Sequence, residues 1–266
     1  MKLTILGSGN AQATKVYNTC LLFDDGRDRL LVDAGGGNTI LSILEKKEIP
    51  LSSIRYLFVT HAHIDHLLGV FWVIRRIAEE MNASRYDGVF TVYAHEELIS
   101  LILSFSHRTL TKKICSLFGE RILFVPVRDR ESFAVTGGTL TPFDIYSTKM
   151  RQFGFVLECG GKRIVDAGDE PLDERNADLA QGADWLTHEA FCLYSDRDIY
   201  HPYEKNHSTA KDAAEKAERL GVKNLVLYHT EDRSGIETRK KRYTEEAEKY
   251  YSGTVYVPDD GDEITL

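Results

Sequence analysis

The chain has 266 residues, enough for one large α/β domain or two small ones. Its apolar fraction of 42% and charged fraction of 28% are those of an ordinary globular protein. With 33 basic against 41 acidic residues the net charge is −8, which argues against a protein that grips polyanions by charge alone. In chain order, Leu3 to Leu6 reads as a first strand, ending in Gly7-Ser8-Gly9-Asn10. Thr19 to Phe23 and Arg29 to Val32 read as a hairpin through Asp24-Asp25-Gly26, and Thr39 to Glu48 as a helix closed by Pro50. Tyr56 to Val59 is an apolar run of strand length, and Leu67 to Met81 has the broad apolar face of a helix. Phe90 to Ala94 reads as a strand, Glu96 to Phe105 and Leu110 to Leu117 as helices, and Arg121 to Val125 and Thr139 to Tyr146 as strands. Phe153 to Glu158 turns through Gly160-Gly161 into Arg163 to Val165. Asp184 to Thr187 follows as a strand, then a helix from Ser208 to Leu220 stopped by Gly221 in the C′ position. Leu225 to Tyr228 is a strand ending at His229, and Glu237 to Tyr251 a late helix.

The four cysteines, Cys20, Cys115, Cys159 and Cys192, lie far apart with no Cys-x-x-Cys, which speaks against a zinc knuckle and for reduced thiols. The first residues carry too short an apolar run for a signal peptide, and no segment approaches the roughly 20 apolar residues of a membrane span. A cytoplasmic location is the expectation.

Between the Tyr56 strand and the Leu67 helix lies Thr60-His61-Ala62-His63-Ile64-Asp65-His66. In an extended loop His61 and His63 point the same way, because side chains repeat every second residue. Asp65 and His66 fall near the helix start and diverge from that pair. Four metal-capable groups splayed two and two suit neighbouring ions better than one. A metal pair also needs a shared carboxylate. Asp169, which follows a strand and a glycine, is placed to provide it. His229 ends its strand as His61 ends its own.

The chain carries an internal echo. Leu31-Val32-Asp33-Ala34-Gly35-Gly36 is repeated as Ile164-Val165-Asp166-Ala167-Gly168-Asp169, and Phe58-Val59-Thr60-His61 as Trp185-Leu186-Thr187-His188. Two similar halves, approximately 1–125 and 126–266 of a single domain spanning 1–266, are implied. Each half has a sheet needing cover on both faces, so the economical packing is sheet on sheet with helices outside.

The His61-x-His63-x-Asp65-His66 motif after a hydrophobic strand resembles the signature of the metallo-β-lactamase-fold hydrolases. That resemblance implies an αββα sandwich, two mixed β-sheets flanked by helices. It implies two divalent ions, zinc first and manganese second: His61 and His63 on one, Asp65, His66 and His229 on the other, with Asp169 bridging. A further histidine usual in that family is replaced by Ser147 or Thr148, and a neutral hydroxyl is a poor zinc ligand beside imidazole. The His61/His63 site is therefore expected to be the weaker; His95 or His107 would be the substitutes.

Thr187-His188-Glu189-Ala190-Phe191, Lys205-Asn206-His207-Ser208-Thr209-Ala210, Leu6-Gly7-Ser8-Gly9 and Leu225-Val226-Leu227-Tyr228-His229 resemble the ribonuclease Z branch, which processes transfer-RNA 3′ ends. By that resemblance Glu189 pairs with His207, and His207 is the general acid on the leaving oxygen. Ser208 would cap the following helix, His188 would be no ligand, and Asp33 would brace the His61 loop. The expected activity is phosphodiester hydrolysis by metal-activated water, with Asp65, His207 and Glu189 as catalytic residues. The alternatives are a lactone or thioester hydrolase of the same fold, or a ligand-binding protein on a decayed metal site. The substrate is a phosphodiester, small or an RNA 3′ end. The arm expected for transfer RNA would fall between Ser147 and Asp169, an interval of 22 residues that already holds a hairpin. No membrane partner is expected, and a homodimer is admissible.

Overall fold

The structure, a computed structural model, describes residues 1–266. Two seven-stranded sheets form its centre. The first takes β1 (Lys2–Gly7), β2 (Cys20–Asp24), β3 (Arg29–Val32), β4 (Ile54–Phe58), β5 (Phe90–Ala94) and β6 (Ile122–Pro126) in that order. The second takes β7 (Phe133–Val135), β8 (Gly138–Asp144), β9 (Phe153–Cys159), β10 (Lys162–Asp166), β11 (Trp185–Glu189), β12 (Asn224–Tyr228) and β13 (Thr254–Tyr256) in reverse order. A last strand, β14 (Glu263–Thr265), leaves the second half of the chain and pairs antiparallel with β1. Both sheets are mixed. Hairpins β1–β2–β3 and β8–β9–β10 are antiparallel, whereas β3–β4–β5–β6 and β10–β11–β12–β13 run parallel.

Helices cover the outer faces: α1 (Thr39–Lys46), α2 (Ile64–Asn82), α3 (Glu96–Thr109) and the short α4 (Lys112–Cys115) on one side. The short α5 (Ala177–Ala180) and α6 (Arg197–Tyr200), with α7 (Ala210–Arg219) and α8 (Ile236–Ala247), belong to the other half. Three apolar layers result. Val70, Val73, Ile74 and Ile77 of α2 pack on Leu31, Leu57 and Val92 of the first sheet. Ala210, Ala213, Ala214 and Ala217 of α7 pack on Leu186, Leu225 and Leu227 of the second. Between the sheets, Phe155 meets Phe58 edge-on at 5.6 Å and Phe23 at 5.9 Å. This is the αββα sandwich that the repeated strand-turn-strand plan implies.

Both halves place their chemistry at the carboxyl ends of parallel strands. Val32 pairs with Phe58, so the turns after β3 and β4 lie side by side. Asp166 pairs with Thr187 and Glu189 with Tyr228, which brings the ends of β10, β11 and β12 together in the same way. Helix α2 starts at Ile64, three residues before the expected Leu67, because His63 takes extended backbone (φ −62°, ψ 145°) as its N-cap. No helix is long and apolar enough to cross a membrane.

Candidate metal centre

Six side chains singled out by the sequence converge where the sheet ends meet. His61 and His63 come from the loop after β4, Asp65 and His66 from the first turn of α2, Asp169 from the turn after β10, and His229 directly follows β12. The α2 turn is docked rigidly. Gly69 donates its N–H to Gly35 O at 2.8 Å, and Ala34 N–H bonds His66 O at 3.1 Å. A Cβ at Gly69 would fall 1.8 Å from Ala34 O, so only glycine permits this approach. Two ordinary residues here sit in left-handed backbone, Asp33 at φ 54° and His229 at φ 54°. Asp tolerates that region, but for His229 it costs about 1 kcal/mol or more, strain of the kind found at functional sites.

His61 Nε2 and His63 Nδ1 lie 2.9 Å apart. Asp169 Oδ2 faces both, at 3.6 and 3.9 Å, and faces His66 Nε2 at 3.8 Å. Its other oxygen approaches His229 Nε2 to 2.8 Å. Asp65 Oδ2 is 3.4 Å from His66 Nε2 and 3.7 Å from His229 Nε2. His61/His63/Asp169 and Asp65/His66/His229 thus form two adjacent groups, each with its ligand atoms within 4.8 Å of one another. Asp33 stands behind them, accepting from Thr60 N at 2.8 Å, from Thr60 Oγ1 at 2.7 Å, and from His66 Nδ1 at 2.7 Å. That contact aims His66 Nε2 into the cluster, the arrangement in which a carboxylate orients a ligating imidazole.

The donor set fits divalent cations. His66 Nε2, His229 Nε2 and Asp169 Oδ1 are buried without an aligned hydrogen-bond partner. A 2.8 Å approach without hydrogen-bond alignment suits two ligands of one ion better than a shared proton. Electrostatics point the same way. Burial alone would lower His66, but Asp33 and Asp65 outweigh it and hold the ring at about 9. His229 is likewise held at about 10 by Asp169 and Asp65 against its burial. Burial opposes ionisation of Asp169, yet His229 and the other imidazoles hold its carboxyl well below the usual range. The carboxylates demand positive charge, which protons supply in the bare chain and cations can supply instead. Burial and the His66 charge keep His61 neutral, ready to ligate.

His207 stacks between Phe191, at 4.9 Å and 13°, and His229, at 5.2 Å and 29°. It shares a 4.8 Å cluster with Asp169 and His229. Its Nδ1 lies 3.5 Å from Glu189 Oε2, a contact too poorly aligned for a hydrogen bond. The strong bonds of Glu189 go to Ser208 instead: Oε1 accepts from both Ser208 N and Ser208 Oγ at 2.5 Å, while Oε2 accepts from Phe191 N at 3.2 Å. Ser208 is therefore not the cap of α7. Thr209 is, in a reciprocal capping box with Asp212, and the Ser208 side chain is spent on Glu189.

Neither candidate for the replaced histidine joins the cluster. Ser147 Oγ donates to buried Glu170 at 2.8 Å, and exposed Thr148 accepts from Asn206 at 3.2 Å. His95 caps α3 by accepting from Leu98 N, and His107 packs on Phe118, so neither reaches in. His188 is buried, accepting from Leu172 N at 3.2 Å, and lies outside every cluster, as expected. Walls that sequence reasoning missed are Gln12, Met150 and Lys205, which with Phe191 and the cluster enclose a cleft of about 520 Å³. Loops far apart in the chain bring them in; Phe191 and Lys205 lay inside recognised motifs, Gln12 and Met150 did not. A larger hollow of about 700 Å³ borders Lys15, Lys46 and Lys47 but none of the clustered ligands.

The model of the family described as Anti-Pycsar protein Apyc1 matches residues 1–244. The chain belongs to that family. This Apyc1-family chain is 25% identical to ribonuclease Z of Archaeoglobus fulgidus over 97% of its own length and 95% of the relative's. Its fold matches the metallo-β-lactamase fold protein YhfI of Bacillus subtilis with a TM-score of 0.80 at 17% identity, covering 99% and 98% of the two chains. The short form of human tRNase Z matches at 0.75 and 21%, covering 100% and 99%. The protein is a metallo-β-lactamase-fold, metal-dependent hydrolase of ribonuclease Z-like type.

Proposed function

We propose that the protein is a phosphodiesterase that binds two divalent ions, zinc foremost, and cleaves a small or short phosphodiester. His61, His63 and Asp169 would hold one ion, Asp65, His66, His229 and Asp169 the other. When bound, such a pair supplies an activated water and neutralises charge on the phosphoryl oxygens. Asp65, at the α2 N-terminus, orients the nucleophile from the cluster side. His207 gives a proton to the leaving oxygen. Glu189 fixes the His207-Ser208 backbone and faces the imidazole with a carboxylate. Burial raises the Glu189 carboxyl, but His207 and Ser208 bring it below its ordinary value, so it stays charged.

The observation that carries the reading is His207 itself: an imidazole stacked beside the cluster, with the Glu189 carboxylate 3.5 Å from its Nδ1. A thioester has less use for a dedicated acid, because its thiolate departs unaided; a lactone also releases an alkoxide, and the substrate panel separates it. Three features favour a small substrate over a transfer RNA. The interval from Ser147 to Asp169 is occupied by β9 and β10, the net charge is −8, and Lys205 is the one Lys or Arg on the cleft wall. The test is a substrate panel at saturating zinc or manganese: nitrophenyl phosphodiester, short and cyclic nucleotide diesters, a transfer-RNA precursor, and a lactone. Turnover of the small diesters is expected. A lactone turned over in preference to every diester would overturn the reading.

A further inference from the structure

Asp169 is held by no donor other than the imidazoles of the cluster, so its direction must come from the backbone turn that presents it. That turn is Asp166-Ala167-Gly168-Asp169, with Gly168 in left-handed backbone at φ 83°. Its peptide groups are gripped from both sides. Asp166 Oδ1 accepts from Gly168 N at 3.0 Å, and Tyr228 Oη donates to Gly168 O at 3.2 Å. The other Asp166 oxygen accepts from Thr187 Oγ1 at 2.6 Å, and Tyr228 Oη lies 3.3 and 3.4 Å from the two carboxylate oxygens. Asp166 and Tyr228 are almost wholly buried. One network therefore joins the ends of β10, β11 and β12, which carry Asp169, Glu189 and His229. It mirrors Asp33 and Thr60 in the first half, where the same Asp–Thr pair, with bonds of 2.7 and 2.8 Å, steers His66.

We infer that Asp166 and Tyr228 are positioning residues that clamp the Gly168 peptide and thereby aim the Asp169 carboxylate between the two halves of the cluster. This rests on the reading of Asp169 as the shared ligand. Each half of the fold thus supplies its own buried aspartate to orient a ligand, His66 through a direct contact and Asp169 through its backbone. A carboxylate buried at this depth is costly. A role confined to bracing β10 on β11 would need only the Thr187 bond.

The two oxygens of Asp166 separate these roles. The full-length protein, loaded with zinc, is competed with graded chelator, and metal content, cobalt-substituted absorption and melting are recorded. Tyr228→Phe and Asp166→Asn should lose zinc about 10- to 100-fold more readily and alter the cobalt spectrum, the usual range for partners of metal ligands. Thr187→Val should lower melting yet keep metal affinity and spectrum. Tyr228→Phe removes one hydroxyl, so it tests the inference even if Asp166→Asn fails to fold. If Tyr228→Phe and Asp166→Asn hold two equivalents with unchanged spectrum and only melt earlier, the inference is overturned. Asp169→Ala serves as control. If it too keeps both equivalents, the shared-ligand reading fails rather than the clamp.

Discussion

Replacing His207 by alanine tests the proposed chemistry most directly. The ring is 8% exposed and stacks on both Phe191 and His229. Each aromatic contact contributes about 0.5–1.5 kcal/mol beyond the area it buries, so the two contacts account for about 1–3 kcal/mol and the lost burial adds to that. That lies within a typical margin of about 5–15 kcal/mol, and the variant should stay folded. Its rate effect then depends on the leaving group. A nitrophenolate departs without help, whereas an alkyl or ribose oxygen needs a proton, and a positioned acid is worth about 10²–10⁴ in rate. His207→Ala should therefore slow alkyl or nucleotide diesters at least about 10²-fold more than nitrophenyl diesters. Steady-state kinetics on both substrates, with melting as the folding control, give the ratio. Glu189→Gln should show the same bias more weakly, with earlier melting, because Glu189 also holds Ser208 N and Oγ. Equal losses on both substrates would refute the acid role and leave His207 a stacking residue.

Asp65→Ala should abolish turnover by about 10² or more while circular dichroism stays native, since Asp65 contacts the cluster rather than the core; a wild-type rate with metal bound would remove it from the mechanism. Metal occupancy should be unequal, one equivalent leaving early in dilute chelator, because Ser147 is bonded to Glu170 and leaves the His61/His63 side a ligand short; metal analysis of Ser147→His should show that loss slowed, and two equivalents leaving together in both proteins would contradict it. In metal-stripped protein, His66 at about 9 and His229 at about 10 lie above their ordinary value of 6.5, so their contribution to stability is complete below pH 6.5 and lost as pH rises through 9 to 10. Melting of that form should fall over this window, and zinc uptake near pH 7.5 in weak buffer should release protons. Lys205→Ala should raise KM roughly fivefold at low salt with little change in kcat, the worth of about 1 kcal/mol for an exposed charge on an anionic substrate, and the effect should fade with added salt.

The sandwich and the cluster were legible because their signals are local. The two Asp-Ala-Gly turns close strands in each half, and three histidines crowd one loop. Short elements were not legible: β7, β13 and β14 each have three residues, too few for a period of two to show. The start of α2 was misplaced because Ile64, Asp65 and His66 do not extend the apolar stripe; Ile64 is 68% exposed and its helicity comes from the cap and the docked turn. Thr209 displaced Ser208 as the α7 cap because a buried carboxylate 19 residues away claimed the serine, a tertiary contact that no spacing reveals. The walls formed by Gln12, Met150 and Lys205 depend on how separate loops meet, so they too had to await the structure.

The pairing of β14 with β1 has a consequence for the order of assembly. Lys2 faces Thr265 and Thr4 faces Glu263, so the edge of the first sheet stays open until the other strands of both sheets have been synthesised. The segment just before β14 matters equally, for Asp260 accepts from Ser8 N, Ser8 Oγ and Tyr17 N at the base of the loop that carries Gln12. A nascent chain can build β2 to β6 and their helices early, but it cannot settle this rim of the cleft. Catalytic competence should thus trail the bulk of folding, and a ribosome-tethered chain stalled before residue 260 should show protected core amides around an unfinished cleft.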